Sequence, residues 1–250
     1  MKELRRLTRN AFAALAASIF FAVILVAMLA TQNALCESKT EWILEQRHYN
    51  NGNSKIYIAD DAVRIDNLDR GFQIVAKAPT WTVEIFRPDR KTFYKTDLKN
   101  FLHFTIYGVA GTDGDPTKRP ARKISQTVKK GDILMCRYEF GYGNAWLATN
   151  ISHSPEICRI LTIYNQSPQP GGIVLNYDFL FPQEKTLEQK SRFFTLPPGK
   201  QTFLSTPKTL KTVFNPSDFL YPVGYHQVKA YAELLTKKVS TDEANLFMGK

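Results

Sequence analysis

The sequence predicts a mainly β domain, an antiparallel sheet of short strands with a few helices, preceded by an N-terminal apolar leader helix. Three observations predict it. Residues 11–30 form an apolar run behind a basic end. Six short β-patterned runs then follow one another between residues 42 and 96, at roughly 8–12-residue spacing. Two later segments, 133–140 and 173–181, alternate large apolar residues with others at period two.

Lys2, Arg5, Arg6 and Arg9 precede the apolar run against Glu3, and Ser18 is its one polar member. Twenty residues at about 1.5 Å each are long enough to cross a bilayer. A basic end before such a run is the secretory pattern, with the positive charge left in the cytoplasm. Residues 1–36 are therefore read as a signal peptide or a membrane anchor, and residues 37–250 as a single extracytoplasmic β domain. Ala34-Leu35-Cys36 offers a small-x-small cleavage site, and Cys36 is also a candidate for lipidation.

Residues 42–49 read as the first strand, ended by Asn50-Asn51-Gly52-Asn53, residues that tolerate the backbone of a tight turn. Residues 54–59, 62–66, 72–76, 82–86 and 92–96 continue the pattern, punctuated by Asp60-Asp61, 67–71, Pro79 and Pro88-Asp89. The stretch 97–107 is compatible with a short helix. Residues 108–123, rich in Gly, Pro and charge, read as an exposed loop.

The sheet resumes at 133–140, where Leu134, Cys136, Tyr138 and Phe140 share one face and Met135, Arg137 and Glu139 the other. Residues 145–150 and 158–164 read as further strands. In 173–181, Leu175, Tyr177, Phe179 and Phe181 alternate with Val174, Asn176, Asp178 and Leu180. Residues 191–196 close the set. Val228, Tyr231, Leu234 and Leu235 fall at helical spacing, and Ser240 with Glu243 could cap a last helix.

Hydrophobic residues are 44% and charged residues 22% of the 250, which excludes a disordered chain. Three cysteines exclude a disulfide-dense miniprotein. The formal net charge is +10. Four basic residues and one acidic residue lie within 1–36, so the remainder keeps 29 Lys+Arg against 22 Asp+Glu, a net +7. These charges are scattered, which suits an anionic membrane surface better than nucleic acid.

The four histidines, His48, His103, His153 and His226, show no metal-ligand spacing, so no metal and no cofactor is expected. His153-Ser154 with Cys158 is the nearest approach to a nucleophile–base pair, and ordinary loop residues are the simpler reading. No catalytic group and no enzyme activity is expected.

If Cys36 leaves with the leader or is lipidated, Cys136 and Cys158 remain, and outside the cytoplasm that parity favours a disulfide. It would close a loop of about twenty residues, worth about 3 kcal/mol in the chain-entropy estimate. Two buried free thiols are the competing reading.

Two stretches carry a family resemblance. One is W-I-L-E-Q-R-H-Y from Trp42, the hairpin strand in which Tyr57 precedes Arg64-Ile65-Asp66, and the K-T-F-Y strand ending at Tyr94. The other is F-x-x-P-x-G-Y-x-x-V, Phe219 to Val228. Together they resemble the LolA/LolB-like superfamily over most of residues 40–230. The resemblance implies an open, strongly curved antiparallel sheet, a half-barrel with covering helices, whose apolar cavity holds acyl chains.

The expected function is accordingly a cell-envelope protein, periplasmic or anchored to face the outside. It would bind a lipid or lipoprotein acyl chain as a carrier-like protein. Leu134, Tyr138, Leu175, Tyr177 and Phe179 are the candidate cavity lining. The alternative is a membrane-anchored sensor or scaffold that binds a partner envelope protein and transports nothing.

Overall fold

Six hairpin-linked strands form close to where the alternation predicts them: β1 (Thr40–His48), β2 (Gly52–Ile58), β3 (Ala62–Asn67), β4 (Phe72–Lys77), β5 (Thr82–Arg87) and β6 (Thr92–Thr96). The computed structural model describes residues 39–102, 121–140, 143–151, 153–167, 169–181 and 199–235. The leader with Cys36, residues 108–120 of the expected loop, the run at 191–196 and the Ser240–Glu243 cap lie outside the described residues.

The first hairpin shows how the turn residues act. Gly52 sits at φ +74°, and a Cβ there would collide with the Asp69 carboxylate. That carboxylate accepts the backbone N–H of Asn53 at 2.8 Å, which holds the Asp69 carboxyl below its ordinary value. Glycine supplies both the positive φ and the space.

After β6 come α1 (Leu98–Leu102), β7 (Arg122–Lys123), β8 (Val128–Lys130), β9 (Ile133–Phe140), β10 (Gly143–Ala148), α2 (Pro155–Asn165), β11 (Ile173–Phe181) and β12 (Gly199–Val213). A 3₁₀ turn (Pro216–Phe219), β13 (His226–Gln227) and α3 (Tyr231–Leu235) end the described chain. Among the described residues, thirteen strands form one open sheet in the order β13-β6-β5-β4-β3-β2-β1-β12-β11-β10-β9-β7, with β8 beside β9. Fifteen-residue β12 joins the halves, pairing β1 on one side and β11 on the other. The sheet is mixed, because β13 lies parallel to β6 while the other pairs are antiparallel.

Two expectations are corrected. Residues 158–164 are not a strand; they lie within α2, the longest described helix. Its density of β-branched residues hides a helical pattern, for the buried Ile157, Ile160, Leu161 and Tyr164 fall at i, i+3, i+4 and i+7. Ser154 caps it, its Oγ accepting the Ile157 N–H at 3.3 Å, and Pro155 occupies the first turn. The end of the expected loop, Arg122–Lys123, is a short strand paired with Glu139 and Tyr138. Strands β1 to β6 lie side by side in chain order, and β12 then inserts beside β1.

The main core lies on the helix-bearing face. Leu44, Ile56, Ile65, Ile74 and Ile85 from the first strands pack in one cluster with Ile133, Ala148, Ile173 and Leu175 and with Ile157, Ile160 and Tyr164 of α2. Two smaller clusters occupy the opposite face. Phe140, Ala145, Leu147, Val174, Tyr177 and Leu204 form one. Tyr57, Ala59, Ala62 and Phe219 form the other, under the 3₁₀ turn. Arg64 belongs to this second patch, opposite Tyr57 in register. Its guanidinium bonds both Asp66 carboxylate oxygens, at 2.7 and 2.9 Å, and donates to the Asp218 carbonyl at 3.1 Å. It is therefore a latch for the 3₁₀ turn.

Candidate functional site

A groove of about 640 Å³ runs over β8 to β12. Ile133, Met135, Trp146 and Leu175 form its apolar floor, and Lys130, Gly131, Asn176, Ser205, Thr206, Pro207 and Thr209 complete it. Ile133 and Leu175 belong to the main core and Met135 packs against it, so the groove opens on the helix-bearing face. It falls within the range of about 300–1,000 Å³ usual for small-molecule sites.

The register explains the lining. On β9 the alternation is as read from sequence, with Ile133 and Met135 on one face and Leu134, Cys136, Tyr138 and Phe140 on the other. The groove, however, lies on the Ile133–Met135 face. The larger apolar side chains marked the wrong side. Leu134 is 38% exposed, and Tyr138 packs with Phe140 and Tyr177 on the opposite face.

On β11 a bulge intervenes. Trp146 faces Asn176 in register while Leu147 faces Val174, so Leu175 is the extra residue and turns into the groove. Tyr177 consequently joins the opposite cluster, its ring 6.0 Å from Phe140 and from Phe203. Of the expected lining, Leu175 is in the groove; Leu134, Tyr138 and Tyr177 are not, and the Phe179 side chain lies outside the described residues. Met135, Trp146 and Ile133 were missed. Their signal was the second face of β9 and the one tryptophan of β10.

Side chains take up the backbone groups around this bulge. Gln169 Oε1 accepts the Val174 N–H at 2.7 Å, Gln46 Nε2 donates to the Val174 carbonyl at 3.0 Å, and Thr206 Oγ1 donates to the Leu175 carbonyl at 2.7 Å. The chain of bonds continues away from the groove. Gln46 Nε2 also reaches Thr206 Oγ1 at 3.1 Å, and Asn165 Nδ2 donates to Gln46 Oε1 at 3.1 Å. The Asn165 carbonyl then meets His48 Nε2 at 2.9 Å. This ties the groove wall to the C-terminal end of α2.

His48 has a fixed role there. Its Nδ1 accepts the backbone N–H groups of Asn50 and Asn51 at 3.2 and 3.1 Å, so Nε2 carries the proton and donates to Asn165. Burial holds the imidazole down at about 4, against an ordinary value of 6.5. Nearby, Asn51 Nδ2 donates to the Tyr164 carbonyl at 2.5 Å, and the Tyr164 hydroxyl meets Ser54 Oγ at 2.5 Å and Asn67 Nδ2 at 2.8 Å. This structural network pins α2 to the first hairpin, with Asn51 Oδ1 buried and without a hydrogen-bond partner among the described residues.

The cysteines do not form the expected bridge; both are free thiols. Cys136 faces Leu147 across β9–β10 and shares the opposite side of the sheet, where its sulfur lies 3.0 Å from Thr127 Oγ1. Cys158 sits on α2 and packs against the main core. The sheet itself stands between them. Burial pushes the Cys158 thiol up to about 12, which makes it a poor nucleophile. His153 Nδ1 is engaged by the Ile151 carbonyl at 2.5 Å.

No family model and no curated protein matches this chain. Among solved structures it is similar to PNGF-II in two crystal forms, at 13% and 10% identity and a TM-score of 0.40 in both, over 79% of this chain and 32% or 33% of that one. The chain thus spans about a third of the length of PNGF-II. It is also similar to an uncharacterized conserved protein from Thermus thermophilus, at 8% identity and TM-score 0.32, over 81% of this chain and 98% of that one. A LolA superfamily protein from Nitrosomonas europaea matches at 10% identity and TM-score 0.22, over 73% and 89% of the two chains. Nothing about site or function is carried across from these likenesses.

Proposed function

We propose that this chain is a cell-envelope protein, directed outside the cytoplasm by its apolar leader, that binds a lipid or lipoprotein acyl chain along the groove over β8 to β12. The observation that carries the reading is the apolar floor of that groove, Ile133, Met135, Trp146 and Leu175, which no described element fills, beside a core filled by α2. Each buried methylene contributes about 0.8 kcal/mol. Ten of them supply about 8 kcal/mol before the cost of immobilising the chain. No catalytic group is required, and the net positive charge of residues 37–250 suits approach to an anionic membrane surface.

A curved half-barrel also fits the core. Residues as distant in strand order as Val83 on β5 and Ala148 on β10 are buried in one cluster with three short helices. Laid flat, those eight strands would spread over about 34 Å, against a helix diameter of about 10–12 Å. Curvature brings both ends under one small cap.

Native mass spectrometry of the purified full-length chain tests the reading. Co-purified lipid, or uptake of added fatty acid at one equivalent, supports it; neither, over repeated preparations, would overturn it. The partner-protein reading draws on a different observation, the exposed Leu220 (59%) and Val223 (96%) within the F-x-x-P-x-G-Y element. A lipid-free chain that loses a specific protein partner on Val223→Asp would favour that second reading.

A further inference from the structure

We infer that the groove selects an anionic amphiphile, a chain ending in a carboxylate or phosphate, and that Lys130 and Arg137 hold its head group. This rests on the acyl-chain reading of the same groove and adds what lies at the end of the chain.

The described groove lining contains one ionised side chain, the cation Lys130, and no carboxylate. Lys130 is exposed and faces Ile133 in register, immediately before the two-residue turn Gly131-Asp132. That hairpin fixes it at the β8 edge of the floor. Arg137 is exposed on β9 and lies directly opposite Trp146, so it shares the Trp146 face. Neither cation forms an ion pair among the described residues. Two carboxylates on the groove strands are already engaged: Glu139 by Arg122 at 2.6 Å, and Asp178 by Lys200 at 2.9 Å and Thr202 at 2.9 Å.

The arrangement is therefore an apolar floor with two cations at its margin, where Glu139 and Asp178 are already paired and Asp132 of the turn is the one neighbouring acid without an ion pair among the described residues. An uncharged chain would leave Lys130 and Arg137 without a counter-charge among the described residues. An anionic head group lets the tail lie on Met135, Trp146 and Leu175 while the charge stays at the wet rim. Polar groups in such a site fix the orientation of a ligand held by its apolar body. An amphiphile with a cationic head would be repelled.

The test is displacement of a fluorescent acyl probe from the full-length chain by hexadecanoate, hexadecyl phosphate, hexadecanol or hexadecylamine. Inorganic phosphate serves as the head group alone. One or both anions should bind about fivefold or more tighter than hexadecanol, with hexadecylamine weakest; exposed ion pairs set that scale. In Lys130→Gln/Arg137→Gln the preference should vanish while hexadecanol affinity stays. Lys129→Gln removes the same charge from the neighbouring residue, which faces Leu134 instead, and should leave the preference intact.

Equal binding of all four amphiphiles by the parent would overturn the inference and leave the acyl groove standing. So would an anion preference that survives the double substitution, or one lost equally in Lys129→Gln. Inorganic phosphate displacing the probe as well as hexadecyl phosphate does would also overturn it. Failure of every amphiphile to bind would overturn the acyl-chain reading itself.

Discussion

At the scale of single residues, His48 makes the sharpest statement. Its imidazole is neutral in the fold down to about pH 4, whereas in the unfolded chain it protonates near 6.5. The unfolded state therefore binds the extra proton in the window between. Stability contributed by a neutral His48 is complete above pH 6.5 and declines as pH falls towards 4, by about 3 kcal/mol in all. Urea unfolding of the parent and His48→Gln across pH 4 to 7 measures this. The parent should lose more stability than the variant over that window; parallel curves would contradict the assigned tautomer and burial. Gln46 is the second such residue. Gln46→Leu leaves the Val174 carbonyl and Asn165 amide unpartnered, and should cost about 1–3 kcal/mol. Neither role was legible in the sequence, because His48 and Gln46 read only as members of a strand. Their partners, Asn165 and Val174, lie more than a hundred residues away.

At the scale of elements, the strands were the legible part. Turn residues and period-two alternation located β1 to β6, β9 and β11, because each signal is local. The side of the sheet on which a face lies is not local. On β9 the alternation gave the correct pairing of residues and no information on which face the helices would cover. On β11 the bulge at Leu175 divided one apparent face between two clusters. Helix α2 was missed although its cap was present as Ser154-Pro155-Glu156. The β-branched content of Ile157 to Tyr164 outweighed the spacing, and tertiary burial decided the outcome. Two consequences can be measured. Ser154→Ala should cost about 0.5–2 kcal/mol in chemical denaturation, as loss of an N-cap does. Cys136 and Cys158 should both be alkylated in the denatured protein without reductant, and mass analysis finding a bridge between them would contradict the separation of the two by the sheet.

At the scale of the whole molecule, one open sheet buries a core under α2 in its middle and leaves a groove over β8 to β12 that no described element fills. The lengths and composition of the strands made such a sheet expected. The groove depends on β12 joining the two halves, a pairing across more than 150 residues that no local pattern signals. The central claim is that an acyl chain lies on Trp146, and fluorescence tests it most directly. A fatty acid brominated along its tail quenches indole emission on contact. Trp42 is buried in the main core and Trp81 packs at its margin, so the groove holds one of the three tryptophans. Titrating the brominated acid into the full-length chain should quench the emission saturably, and Trp146→Phe should remove most of that quenching. No saturable quenching, or quenching that Trp146→Phe leaves unchanged, would contradict the claim.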